Sequence, residues 1–180
     1  PAGSMAPRPI ADTSMRPMVI SIVGPAPGKH GANRTGRPFT GDYAGELLYA
    51  TLIKFALAKG EYRASREDGL QLEGAVILNA VKSLPPGNKP LPIEPANSRP
   101  FLTAAIDALP KLRTFIALGR VAHDSMCRVA GIPLTKAKFA HGAAHELPGG
   151  RLLVDSYHCS RYNQNIGRLD AAMFEAVFEK

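Results

Sequence analysis

The sequence predicts a three-layer α/β/α sandwich around a central four-stranded parallel sheet. Two observations carry that reading. Four short apolar runs, Val19–Val23, Ala75–Leu78, Thr114–Leu118 and Leu152–Asp155, each lie close to a Gly, Asn or His at the C-terminal end, the pattern of strands buried on both faces. Between them lie segments with the apolar spacing of helices, and strands alternating with helices imply a parallel sheet covered on its faces.

The elements follow in chain order. Pro1 to Met5 reads as a tag remnant, and the Pro- and Ser-containing stretch up to Pro17 has no periodicity, so 1–17 is set apart as an irregular segment and 18–180 is read as one domain. The first strand is too short for a leader or a membrane span and runs at once into Gly24-Pro25-Ala26-Pro27-Gly28. Helical spacing over Ala44–Ala58 follows, then the second strand, which ends on Asn79. Ser83 to Pro100 is rich in Pro and reads as a long surface loop, leading to helical spacing over Ser98–Ala108. The third strand gives way to Gly119-Arg120 and a helix over Arg120–Val129; the fourth leads into His158–Asn163 and a last helix, Leu169–Phe178. In open α/β sheets ligands sit beyond the carboxyl ends of the strands, so the residues that follow each strand are the candidates for function.

A chain of 180 residues with 45% hydrophobic content can bury a core without disulfides or metals. Its 22 Lys and Arg against 15 Asp and Glu, a formal +7, favour a polyanionic partner, with nucleic acid the leading candidate. The two cysteines, Cys127 and Cys159, form no C-x-x-C pair and imply neither a disulfide framework nor a zinc ribbon. A reducing, cytoplasmic setting is expected, with no membrane association.

The loop from Gly24 to Asp42 carries the most information. It is not a phosphate-cradling loop: Gly24 to Gly28-Lys29 is one residue short, and His30 stands where a magnesium-holding hydroxyl belongs. The G-x-G-x-x-G order is absent as well. Gly28, Gly31, Gly36 and Gly41 let backbone approach a ligand closely, around a single aromatic, Phe39, and a carboxylate, Asp42. The second informative segment, Asp155 to Arg168, puts His158 at a strand end ahead of a polar loop with Arg161 and Tyr162. Cys159 is read as packing, since neighbouring side chains diverge along a strand. His141 and His145 have the spacing of a helical metal pair, but Gly142 and Pro148-Gly149-Gly150 argue against a helix there, and no metal site is expected.

Together these segments resemble the two signature motifs of the uracil-DNA glycosylase superfamily, nearest to its family 5, or type B, group. The first motif matches across Gly24–Asp42; the second appears as His158, Ser160, Asn163 and Ile166-Gly167-Arg168-Leu169. The likeness continues through Leu78-Asn79-Ala80-Val81, Asn88-Lys89-Pro90, Arg99-Pro100-Phe101-Leu102 and Ala117 to His123. It implies an enzyme that extrudes uracil from DNA and hydrolyses its N-glycosidic bond, acting as a monomer on uracil-containing DNA and leaving uracil and an abasic site. One departure matters. Members of the resembled family hold an iron–sulfur cluster with four cysteines, whereas Ser83 and Ser98 occupy the two central positions here and no Cys precedes the first strand. The cluster is therefore expected to be absent, and no other cofactor is implied.

The resemblance also distributes roles. Phe39 stacks on the base, the backbone of Gly24, Pro25 and Ala26 adds donors to it, and His158 donates to uracil O2 as charge develops there. Asn79 offers the donor and acceptor that suit O4 and N3–H of uracil, unless it only caps its strand. Asp42 orients water and stabilises the cationic sugar, with Asn33 as a possible helper; the alternative for Asp42 is a helix cap near Tyr43. Arg161 and Tyr162 stand where the superfamily inserts a wedge, Ser160 and Arg120 suit phosphates, and Asn163 completes the DNA-facing motif. Two alternatives remain open: a broader glycosylase that also takes hypoxanthine or xanthine, and a non-catalytic binder of uracil or abasic DNA.

Overall fold

The computed structural model describes residues 20–29, 31–83, 87 and 91–180. The N-terminal segment 1–17, Asn88-Lys89-Pro90 and His30 lie outside the described residues. The elements run β1 (Ile20–Gly24), α1 (Ala32–Thr35), α2 (Tyr43–Lys54), β2 (Ala58–Lys59), β3 (Gln71–Leu72), β4 (Ala75–Asn79), α3 (Glu94–Asp107), β5 (Thr114–Leu118), α4 (Arg120–Val129), β6 (Ala144–Leu147), β7 (Arg151–Ser156), α5 (Arg161–Asn165) and α6 (Ala171–Phe178).

The four expected strands form the parallel core of a sheet with order β4-β1-β5-β7-β6, and β2 pairs with β3 in a small separate ribbon. The main sheet has five strands, not four: β6 adds an antiparallel edge, with Ala144 opposite Val154 and Leu147 opposite Arg151. Its sequence, Ala-His-Glu-Leu, has one buried residue in four, so no apolar run announces it. The hairpin that attaches it turns through Gly149 and Gly150 at φ 80° and 69°, a conformation that glycine adopts without strain.

Side chains alternate across the sheet and split the core in two. From β5, Ile116 and Leu118 join Leu48, Tyr49, Leu52 and Phe174 under α2 and α6. Phe115 and Ala117 join Leu102, Ile106, Ala122 and Met126 under α3 and α4. The helix ends follow local chemistry. Asp42 and Asp170 cap α2 and α6 by accepting from Gly45 N and Met173 N. Helix α2 stops at Lys54, short of the expected Ala58, because Ala56 turns left-handed and Leu57 N closes back on Leu52 O. Helix α3 starts at Glu94, four residues before the expected Ser98, since Pro95 sits in the first turn where no N–H is needed.

The parallel strands β4, β1 and β5 fix the site. Gly24 pairs with Asn79 at the carboxyl ends of β1 and β4, and the ladder continues as Ala80 N and Val81 N donate to Gly24 O and Pro25 O at 2.8 and 2.9 Å. Beside β5, Leu118 is opposite Ser156, and Gly119 N donates to Ser156 O at 2.8 Å. The strand ends therefore deliver Gly24, Asn79 and the Tyr157-His158 turn to one rim. No helix among the described residues is long and apolar enough to cross a membrane.

Candidate active site

A cavity of about 410 Å³ opens at that rim, lined by Pro25, Ala26, Phe39, Asp42, Asn79, His158 and Ser160 among others. Gly24 packs tightly against two of these lining side chains: a Cβ there would stand 2.6 Å from Asn79 Oδ1 and 3.0 Å from the Phe39 ring. Pro25 brings no N–H, so a backbone donor to a base from this stretch can come only from Gly24 or Ala26. Asn79 Oδ1 is buried with no hydrogen-bond partner. An orphaned acceptor of this kind costs about 1–3 kcal/mol, and its place in the cavity wall points to a ligand N–H as the missing partner.

The ring of Phe39 is 7% exposed and faces the His158 ring at 6.0 Å. Burial pushes the His158 imidazolium down to about 4, so this side chain is neutral at physiological pH, with one ring N–H to donate. Asp42 divides its two oxygens. Oδ1 accepts from Gly45 N at 3.0 Å and caps α2, while Oδ2 lies against Gly28 and Gly31, where a Cβ on Gly31 would come within 2.3 Å of it. The cap and a site carboxylate are thus one group. Its burial, partly offset by the Gly45 N–H, raises its pKa above the ordinary value.

The cavity wall is braced from behind by residues that sequence reasoning missed. Phe39 holds φ at 57°, an uncommon backbone for a bulky side chain. Tyr62 Oη donates to Phe39 O at 3.1 Å and accepts from Gly41 N at 3.2 Å, while Tyr49 Oη donates to Pro38 O at 2.6 Å. The two tyrosine rings stack at 4.8 Å, and the Arg37 guanidinium lies over both. Arg37 then forks onto Asp68, with both N–H···O contacts at 2.8 Å, and holds its carboxyl well below the usual carboxylate range. Gly45 completes the frame, because a Cβ there would meet Phe39 O at 1.7 Å. No sequence pattern marks this frame, because Arg37 and Asp68 stand 31 residues apart.

A second polar cluster lies outside the cavity. Asp155 accepts from His123 Nδ1 at 2.7 Å, His145 Nε2 at 2.8 Å and Ala140 N at 3.3 Å. These are metal-ligating residue types brought together, yet at hydrogen-bonding distances that spend both carboxylate oxygens on protons. His145 sits on β6, and His141 turns instead to Tyr157 N and Met173 O, so the two never form a helical pair. Both nitrogens of His123 face acceptors, the second being Ala137 O at 2.8 Å, which requires the doubly protonated ring. Burial opposes that charge, but the bond to Asp155 and its negative charge overcome it and raise the His123 pKa. The stabilisation is therefore full below the unfolded value of about 6.5 and fades as pH rises through the raised folded value. Urea unfolding of wild type and His123→Gln should show a stability gap that shrinks between pH 6 and pH 9; an equal gap at both would mean that the ring is not held charged.

A model of the uracil DNA glycosylase superfamily matches residues 17–180. The chain belongs to the uracil DNA glycosylase superfamily. It is 42% identical over 158 residues to the type-5 uracil-DNA glycosylase of Thermus thermophilus, covering 88% of this chain and 72% of that protein. The type-5 uracil-DNA glycosylase of Mycobacterium bovis is 39% identical over 169 residues, 93% of this chain but 63% of that protein. That of Pyrobaculum aerophilum is 37% identical over 172 residues, 96% of this chain and 73% of its own length.

The resembled family's iron–sulfur cluster needs four thiolates, and Ser83, Ser98, Cys127 and Cys159 are the residues present. They do not fit it. Ser98 Oγ accepts from Lys82 N at 3.1 Å and ties the central loop to α3 by a hydrogen bond. Cys127 and Cys159 are buried in the two cores on opposite faces of the sheet, with burial pushing their thiols up to about 11 and about 12. Two protonated thiols so placed cannot serve a four-thiolate site.

The second glycosylase motif folds as α5. Ser160 lines the cavity, and its Oγ caps α5 by accepting from Asn163 N at 3.3 Å. Asn163, expected on the DNA face, spends its amide on His158 O at 2.8 Å and so fixes the turn that presents His158. Arg120 lies over the Phe139 ring at 5.7 Å and is not among the cavity-lining residues. Tyr162 is 66% exposed beside the cavity-lining Ser160. The backbone of Asn33 lies in α1; its side chain is outside the described residues.

Proposed function

We propose that this chain hydrolyses the N-glycosidic bond of uracil extruded from DNA, releasing uracil and leaving an abasic site. The observation that carries the reading is the orphaned Asn79 Oδ1 in a cavity that also holds Phe39, His158 and Asp42. Uracil supplies what the cavity lacks: N3–H for Asn79 Oδ1, O4 for its amide N–H, and a flat face for Phe39. As the bond breaks, negative charge gathers on the base and positive charge on the sugar. A neutral His158 donating to uracil O2 stabilises the first, and the Asp42 carboxylate stabilises the second and orients water. The names of the relatives and the net charge of +7 support DNA as the partner. The same reading has the protein working as a monomer in the cytoplasm, holding no iron–sulfur cluster and requiring no other cofactor.

Single-turnover base release from labelled oligonucleotides carrying uracil, hypoxanthine or no lesion tests the proposal. Release of uracil, with intact DNA untouched, is expected; tight binding without release would make the chain a lesion-binding protein on a glycosylase scaffold. In the same assay Asn79→Asp should slow uracil release by about tenfold or more and gain activity on cytosine, whose amino group a carboxylate accepts. Unchanged uracil release would remove Asn79 from the site.

A further inference from the structure

We propose that Tyr43 and Arg161 form a second nucleotide subsite at the mouth of the uracil cavity, taking the nucleotide that adjoins the extruded deoxyuridine. The proposal rests on the glycosylase reading and extends it to a neighbouring position on the strand. Each residue directly follows a cavity-lining one: Tyr43 follows Asp42 at the start of α2, and Arg161 follows Ser160 at the start of α5. Their side chains meet, with the Arg161 guanidinium 5.3 Å from the centre of the Tyr43 ring. The contact therefore joins the first residues of α2 and α5, each one position beyond a cavity-lining side chain.

Among the described residues, neither side chain makes a hydrogen bond or joins a core cluster. Tyr43 is 45% exposed and belongs to neither core cluster. Among the described residues, Arg161 forms no ion pair. An exposed ring with a guanidinium stacked on it presents a flat surface for a base, beside N–H groups that suit phosphate oxygens. Aromatic platforms of this type accept any base, so the subsite contributes affinity for the strand and leaves the identity of the excised base to Asn79. Tyr162 on α5 and Ile166 at its C-cap are also exposed, at 66% and 50%.

The test compares wild type, Tyr43→Ala, Tyr43→Phe and Arg161→Ala on single-stranded oligonucleotides with deoxyuridine internal, at the 5′ end or at the 3′ end. On the internal substrate Tyr43→Ala should raise KM about tenfold with kcat retained, as expected for a lost stacking contact, and Tyr43→Phe should restore it. On one of the two terminal substrates, the one lacking the neighbour that the subsite takes, wild type and Tyr43→Ala should become equal. Equal KM for wild type and Tyr43→Ala on the internal substrate would overturn the proposal. So would the same loss on all three substrates, which would mean that the ring only braces the cavity. Failure of the wild type to release uracil from any strand is a distinct result, which sinks the glycosylase reading and the subsite with it.

Discussion

Asp42→Asn should fold like the wild type, bind uracil-containing DNA with similar affinity, and release uracil about 100- to 1,000-fold more slowly, the range for loss of one well-placed electrostatic group. The substitution isolates charge because asparagine is as good an N-cap as aspartate: the bond from Gly45 N to Oδ1 survives, and α2 starts as before. What disappears is the negative Oδ2 set against Gly28 and Gly31. The pH profile gives an independent check. Burial raises the Asp42 pKa, so the wild-type rate should fall, as the solution is acidified, at a pH above that of an ordinary carboxylate. The asparagine enzyme should lack that limb. His158, pushed down to about 4, stays neutral through the same window and contributes no step near 6.5. A mutant with near-normal single-turnover rates would remove Asp42 from the chemistry and leave it as a helix cap.

Arg37→Ala should be among the most destabilising single substitutions outside the cores. The Asp68 carboxyl is fully buried, and the guanidinium is its one charged partner among the described residues. Removing it leaves only the Arg63 and Leu70 N–H groups, each at 3.0 Å, to satisfy a buried anion. Breaking a buried pair from one side costs about 3–5 kcal/mol; the two remaining donors and the partial exposure of Arg37 place this case near the lower end. Thermal unfolding would read it as a fall of about 10 °C. The stability that Arg37 brings to Asp68 is full above the ordinary carboxylate pKa and is lost as pH drops through the depressed folded value. The gap between wild type and variant should therefore narrow in acid. A pH-independent gap would assign the loss to the stacking of Arg37 on Tyr49 and Tyr62 instead. Uracil release should also suffer, since the same frame holds Phe39 in its left-handed conformation.

What could be read from the sequence divides along physical lines. Thr114–Leu118 and Arg120–Val129 fold with the bounds that their apolar patterns predict, because a continuous run buried on both faces and a strongly two-sided helix are local signals. Strand β6 escaped because an edge strand with one buried residue has no such pattern, and the start of α3 escaped because Pro95 and Pro100 look like breakers. At the site, Phe39, Asp42, Asn79 and His158 were legible because strand ends in an open α/β sheet converge on one rim. What the motif does not reveal for Asn163 is its bond to His158 O, since a side chain in a short helix can turn inward to a carbonyl as easily as outward. Tyr49, Tyr62 and Asp68 were invisible, since their roles depend on partners up to 31 residues away.

That dependence limits what any motif can transfer. The Gly24–Asp42 loop holds its shape because hydroxyls at Tyr49 and Tyr62 and the carboxylate at Asp68 grip it from outside. A chain carrying the loop letter for letter, but with Phe at those two tyrosines and Asn at the aspartate, would present the signature without the preset cavity. Grafting the loop onto another scaffold therefore requires five residues of Gly24–Asp42's surroundings to travel with it, counting Gly45 and the Ala80 N–H that anchors Gly24. Counting enzymes by the motif alone would overestimate them.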